Sequence, residues 1–177
     1  NKYPEALSLI GKLRIANILA ERPEKSFSKK AIKIYDFIIN EHSLSSQYEE
    51  ALLRKSLTQA LFQDYPNAIS TMEKFCSKFP ENLYVKHLII RDRILETIKS
   101  YIEDYYFQGR YLDALSVYEQ YEKQYYTHPK TSTCFSLRKG ENYSQIVQNL
   151  PYKAPLFLIA DSYFRLGLHD KAQTMND

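Results

Sequence analysis

The chain has 177 residues, a formal net charge of +3 at pH 7, 44% hydrophobic and 25% charged residues, which is the balance of an ordinary globular domain with a core of its own. No stretch reaches the roughly 20 apolar residues that a bilayer-spanning helix needs, and the apolar run 32–39 carries Lys33 and Asp36, so no membrane span is expected. The basic residues are dispersed: Lys29, Lys30 and Lys33 have Asp36 and Glu41 nearby, and Asp92 sits between Arg91 and Arg93, so no nucleic-acid stripe is expected.

In chain order the pattern is helix, short turn, helix. Leu7, Ile10, Leu13 and Ile18 predict a first helix over about 4–20, with Pro4 suited to its first turn. The stretch 21–25 breaks it. Ala31, Ile34, Tyr35, Ile38 and Ile39 then share one helical face. Residues 43–46 end this second helix, with Ser46 expected to cap a third over about 47–63 that carries Ala51, Leu52, Leu57, Ala60 and Leu61.

Pro66 opens a fourth helix bearing Ala68, Ile69, Met72, Phe75, Cys76 and Phe79, stopped by Pro80. A long fifth helix is expected over 83–108, a turn at Gly109, and a sixth helix over 111–126. Residues 127–140 read as loop and 141–150 as a short helix. Pro151 and Pro155 precede a helix over 156–166, and a partner begins at about Lys171 after Gly167. Only four glycines and no tryptophan occur, against sixteen tyrosines and nine phenylalanines, so the core must be built largely from rings.

Aligning the alanine near the start of each second helix, Ala31, Ala68, Ala114 and Ala172, brings out a repeat. Gly109 and Gly167 each precede their alanine by five residues, and Tyr105 and Tyr163 by nine. Four residues beyond the alanine stand Tyr35, Met72 and Tyr118, and seven beyond stand Ile38, Phe75 and Tyr121. This spacing resembles the tetratricopeptide repeat, a family of antiparallel helix pairs of about 34 residues.

The resemblance implies an all-α right-handed solenoid in which alanine sits at the close crossing, glycine makes the turn and the rings fill the space between pairs. It covers 83–126 and 155–175 best, 47–80 less closely and 5–41 least. The alanine spacings are 37, 46 and 58 residues, so repeat lengths are irregular. The expected organisation is a single domain over 1–177, about four helix pairs with an insertion at 127–153, forming a fragment of a longer protein. The ending Phe75–Asn82 is similar to those of bacterial cell-envelope members in outer-membrane assembly or around the flagellar motor, which implies a periplasmic or envelope location over a cytoplasmic one.

Catalytic chemistry finds no convergent set. The four histidines fall in different units without a metal-ligand pairing, and the glycines are isolated, so neither a metal nor a cofactor is expected. Cys76 on an apolar helical face reads as a free buried thiol, a bond to Cys134 being the alternative. The resemblance instead places the first helices on a concave wall. On it stand Glu96, Lys99, Glu103, Tyr106 and Phe107, then Phe157, Asp161, Phe164 and Arg165, with Leu53, Leu57, Ala60 and Leu61 in the preceding pair.

The expected partner is another protein, presenting a peptide or helix to that groove. The lysine–asparagine pair of carboxylate-clamping members is absent. The expected function is a non-enzymatic interaction scaffold within a multi-protein assembly. A self-assembling solenoid and a regulatory repeat of a larger enzyme are the alternatives, and the oligomeric state is open.

Overall fold

The computed structural model describes residues 3–79, 84–121, 125 and 155–175. These hold eight α-helices and no strand: α1 Tyr3–Ala20, α2 Lys25–Glu41, α3 Gln47–Leu61, α4 Tyr65–Lys78, α5 Tyr84–Phe107, α6 Tyr111–Tyr121, α7 Leu156–Arg165 and α8 His169–Thr174. The last helix starts at His169, two residues before the position expected from sequence. The expected loop over 127–140, the short helix over 141–150 and Pro80 lie outside the described residues. The chain divides into two compact units, 1–78 and 79–177.

In the first unit α1 packs on α2 and α3 on α4, and the two pairs join through α2 on α3. Helix α2 turns Ala31, Tyr35 and Ile38 wholly inward, and α4 buries Ala68, Ile69, Met72 and Phe75. Full burial of an aliphatic or aromatic side chain is worth roughly 1.5–3 kcal/mol, so these two stripes hold the pairs together. The second unit repeats the scheme, with α5 on α6, α7 on α8 and α6 on α7. Its core is Ile94, Leu95, Ile98 and Ile102 of α5, Ala114, Val117, Tyr118 and Tyr121 of α6, and Ile159 of α7.

The aligned alanines sit where the repeat requires them. Ala31, Ala68 and Ala114 have no exposed surface and Ala172 has 8%. Any larger side chain there would wedge apart the helix it crosses. The alanine is the fourth residue of α4, α6 and α8 but the seventh of α2, so α2 begins earlier relative to the crossing. A four-residue connection, 21–24, takes the place of a tight turn there.

The three tight turns share one hydrogen-bond scheme. Arg110 N–H donates to the Tyr105 carbonyl and Gly109 N–H to that of Tyr106. Leu168 and Gly167 do the same to Tyr163 and Phe164, and Asp64 and Gln63 to Gln59 and Ala60. This double bond closes a helix on a residue of left-handed conformation. Gly109 and Gly167 adopt it at φ +75° and +73°, where glycine carries no steric cost. Gln63 adopts it at φ +62° with a side chain attached. The turn before Ala68 therefore has the geometry of the other two without their glycine.

Two local expectations are corrected. Ser46 stands at the cap position of α3 but is helical itself, at φ −63° and ψ −19°, and makes no side-chain capping bond. A capping hydroxyl needs extended backbone to reach back to the first turn. Cys76 is fully buried as expected but disulfide-bonded, not a free thiol. Cys134 lies outside the described residues.

Candidate protein-binding face

In the second unit, α5 carries Lys99, Glu103, Tyr106 and Phe107, and α7 carries Phe157, Asp161, Phe164 and Arg165, at the same i, i+4, i+7, i+8 spacing. That spacing gathers each set along one side of its helix. Helices α5 and α7 touch, and the contact is tied by polar groups. The Tyr106 hydroxyl donates to Asp161 Oδ2, and Arg165 Nε donates to the same oxygen at 2.5 Å.

The electrostatics follow from this shared acceptor. The Tyr106 hydroxyl, and after it the Arg165 guanidinium, hold the Asp161 carboxyl below the usual carboxylate range. The hydrogen bond to Asp161, and then burial, push the Tyr106 phenol up. Asp161 likewise raises Arg165. The guanidinium also lies over two rings, 5.3 Å from the Tyr111 centroid and 5.9 Å from that of Tyr106, and Tyr111 meets Tyr106 edge-on at 5.5 Å. Tyr106, Asp161 and Arg165 thus form a strut between two first helices.

Three phenylalanines stand in solvent beside that strut. Phe107 is 76%, Phe157 77% and Phe164 61% exposed. Phe164 is steadied by an edge contact with His169 at 5.0 Å and Phe107 by one with Tyr106 at 5.4 Å. Lys99 and Glu103 pair with each other at 3.5 Å, and Glu96 pairs with Arg93 at 2.7 Å. Exposed pairs of this kind contribute little stability. They do neutralise the charged groups around the rings, leaving a face suited to apolar side chains.

In the first unit, Leu53, Leu57 and Ala60 are half-buried and Leu61 is 75% exposed. His42 caps α2 and meets Phe37 edge-on at 5.0 Å, a packing role like that of His169. The His87 side chain and His128 lie outside the description. Among the described residues no group of three or more His, Cys, Asp or Glu is placed to hold a metal ion.

The junctions between pairs use residues to which the sequence reading gave no junction role. Asp36, five residues past Ala31, meets Lys55 of α3 at 2.7 Å. Glu119, five past Ala114, accepts from the Tyr163 hydroxyl of α7 at 3.3 Å. Glu73 stands five past Ala68. The recurrence of an acid at that spacing was readable from the same alignment that found the alanines.

Residues 50–82 match the tetratricopeptide repeat family model. No curated protein and no solved structure matches the chain. The matched stretch runs from within α3 past the end of α4, and its turn is the one made by Gln63. The all-helical packing in adjacent pairs is consistent with a tetratricopeptide-like helical repeat. Such repeats support protein–protein interaction and are typically non-catalytic.

Proposed function

We propose that this chain is an interaction scaffold that captures an apolar segment of another protein on the α5–α7 face of its second unit. The observation that carries the reading is the exposure of Phe107, Phe157 and Phe164 beside a strut whose charges are already paired. Exposed rings on rigid helices lose little entropy on binding and dominate many interfaces. Lys99, Glu103, Tyr106, Asp161 and Arg165 frame the rings, and the Tyr106–Asp161 bond keeps the two helices in register before the partner arrives.

The test is quantitative capture from source cells by the wild type and by Phe157→Ala with Phe164→Ala, both checked for helical content. A partner stoichiometric with the wild type is expected to fall by more than about tenfold, since two ring anchors at roughly 2 kcal/mol each exceed that factor. Equal capture by the folded double variant would sink the face. The ending Phe75–Asn82 and the disulfide-bonded Cys76 support a place in an oxidising envelope compartment of a bacterium. Fractionation recovering the protein with cytoplasmic markers would overturn that part alone.

A further inference from the structure

The outward side of α2 concentrates positive charge that the fold leaves unused. Ala31, Tyr35 and Ile38 point wholly into the core, so the opposite side of the helix, with Ser26, Lys29, Lys30, Lys33, Phe37 and Asn40, is exposed. Lys25, which begins the helix, is exposed as well. Their sequence neighbours Asp36 and Glu41 do not offset these lysines. Asp36 is taken by Lys55 of α3 at 2.7 Å, and Glu41 lies about 12 Å beyond Lys33 along the axis. Among the described residues no carboxylate forms an ion pair with Lys25, Lys29, Lys30 or Lys33.

Packing does not account for these cations. Helix α2 has no acid in its first turn, and cations near the start of a helix oppose its dipole. The positive end of that dipole adds instead to the field of Lys25, Lys29 and Lys30. A ring stands among them. Phe37, 38% exposed, follows Lys33 by one turn, and Lys12 of α1 lies over it at 4.1 Å from the centroid.

We propose that the outward side of α2 adsorbs to an anionic lipid surface, with the lysines among the headgroups and Phe37 dipping toward the acyl layer. Lysine is a hydrated point charge without the bidentate geometry by which arginine reads a single phosphate or base, and α2 carries no arginine. Charge spread over about 18 Å of one helix side, from Lys25 to Phe37, matches a surface whose own charge is diffuse, and anionic leaflets attract such lysine clusters. An apolar layer behind the headgroups receives the exposed ring, whereas a phosphate backbone or a run of acidic side chains offers none. The core side of α2 stays buried, so the contact is peripheral and needs no unfolding. It concerns a different surface from the α5–α7 face, and either reading stands if the other fails.

Co-sedimentation with vesicles of phosphatidylcholine alone, or mixed with phosphatidylglycerol, tests the proposal. The protein is expected to sediment with the mixed vesicles only, and to be released in about 1 M salt, where the screening length falls to about 3 Å. Lys29→Glu with Lys33→Glu lowers the partition by more than about tenfold, since each reversal replaces an attraction by a repulsion. Phe37→Ala lowers it by less. Lys74→Glu with Lys78→Glu on α4 changes net charge equally and leaves most of the binding, with helical content checked in every variant. No sedimentation, equal sedimentation with the neutral vesicles, equal loss in the two double variants, or tighter binding to duplex DNA or polyglutamate than to the mixed vesicles overturns the proposal. The salt and lipid dependence of the unaltered protein keeps the test decisive even if a variant misfolds.

Discussion

Each unit ties its helices with a tyrosine hydroxyl, and the two ties work in opposite surroundings. In the first unit Tyr35 has no exposed surface and donates from α2 to the Asn17 amide oxygen of α1 at 2.9 Å. Asn17 in turn donates to Glu50 of α3 at 3.1 Å, so one chain of bonds spans three helices. In the second unit Tyr106 is only half-buried and donates to an ionised carboxylate that Arg165 also holds. A neutral amide is the cheaper partner inside a core, where an isolated charge would lose its hydration. At the surface a carboxylate keeps its water and makes the stronger bond. The first tie secures packing; the second braces a face that stays open.

Tyr35→Ala is expected to be the most damaging change, at roughly 3–5 kcal/mol by urea unfolding, because it empties a ring-sized site. The same truncation at half-exposed Tyr106 should cost clearly less; equal losses would erase the distinction between the ties. Next come the turns. Gly109→Ala should lose about 1–2 kcal/mol, the cost of a side chain in left-handed backbone.

Tyr35→Phe keeps the ring and removes one bond, an expected loss of about 0.5–1.5 kcal/mol. It also bears on pH. Burial pushes the Tyr35 phenol up to about 12, so the folded state holds this proton more tightly than the unfolded one. That contribution is complete below the ordinary tyrosine value of about 10 and fades as pH rises through 12. The variant should flatten part of the alkaline loss seen by circular dichroism, the remainder belonging in part to Tyr101, which burial also pushes up to about 12. An unchanged alkaline limb would contradict the role given to burial.

Gln63→Gly should stabilise by roughly 0.5–1 kcal/mol, since glycine relieves the strain at φ +62° at some cost in unfolded-chain entropy. The gain is the converse of the loss at Gly109, and a neutral result would mean that the turns differ in more than their residue. Asp161→Asn should have the smallest effect on unfolding. Because the carboxyl is held low, its contribution is present above about pH 3.9 and disappears as pH falls below that range. The variant should remove only that acid-dependent step.

Much of the fold was legible because the signals are local. Alanine at the crossing and glycine at the turn are each demanded by sterics within one helix pair, so Ala114 with Gly109 and Ala172 with Gly167 announce their pairs outright. The left-handed conformation at Gln63 was hidden because the residue there is not the one its backbone prefers. The face residues were placed on their helices by counting from the alanines, but counting did not show that Tyr106, Asp161 and Arg165 would join. That bond spans 55 residues from Tyr106 to Asp161 and follows from the packing of α5 against α7. Ser46 misled for a related reason: residue type suggests a cap, while the backbone conformation decides whether the hydroxyl can reach.

The sequence by itself determined the class of this protein, an all-helical chain of helix pairs, because periodicity and steric need are written residue by residue. Only the tertiary structure decided which polar groups are shared and which rings stay in water. Those properties depend on which surfaces meet, and a helical face has no way to record in its own residues whether another will cover it.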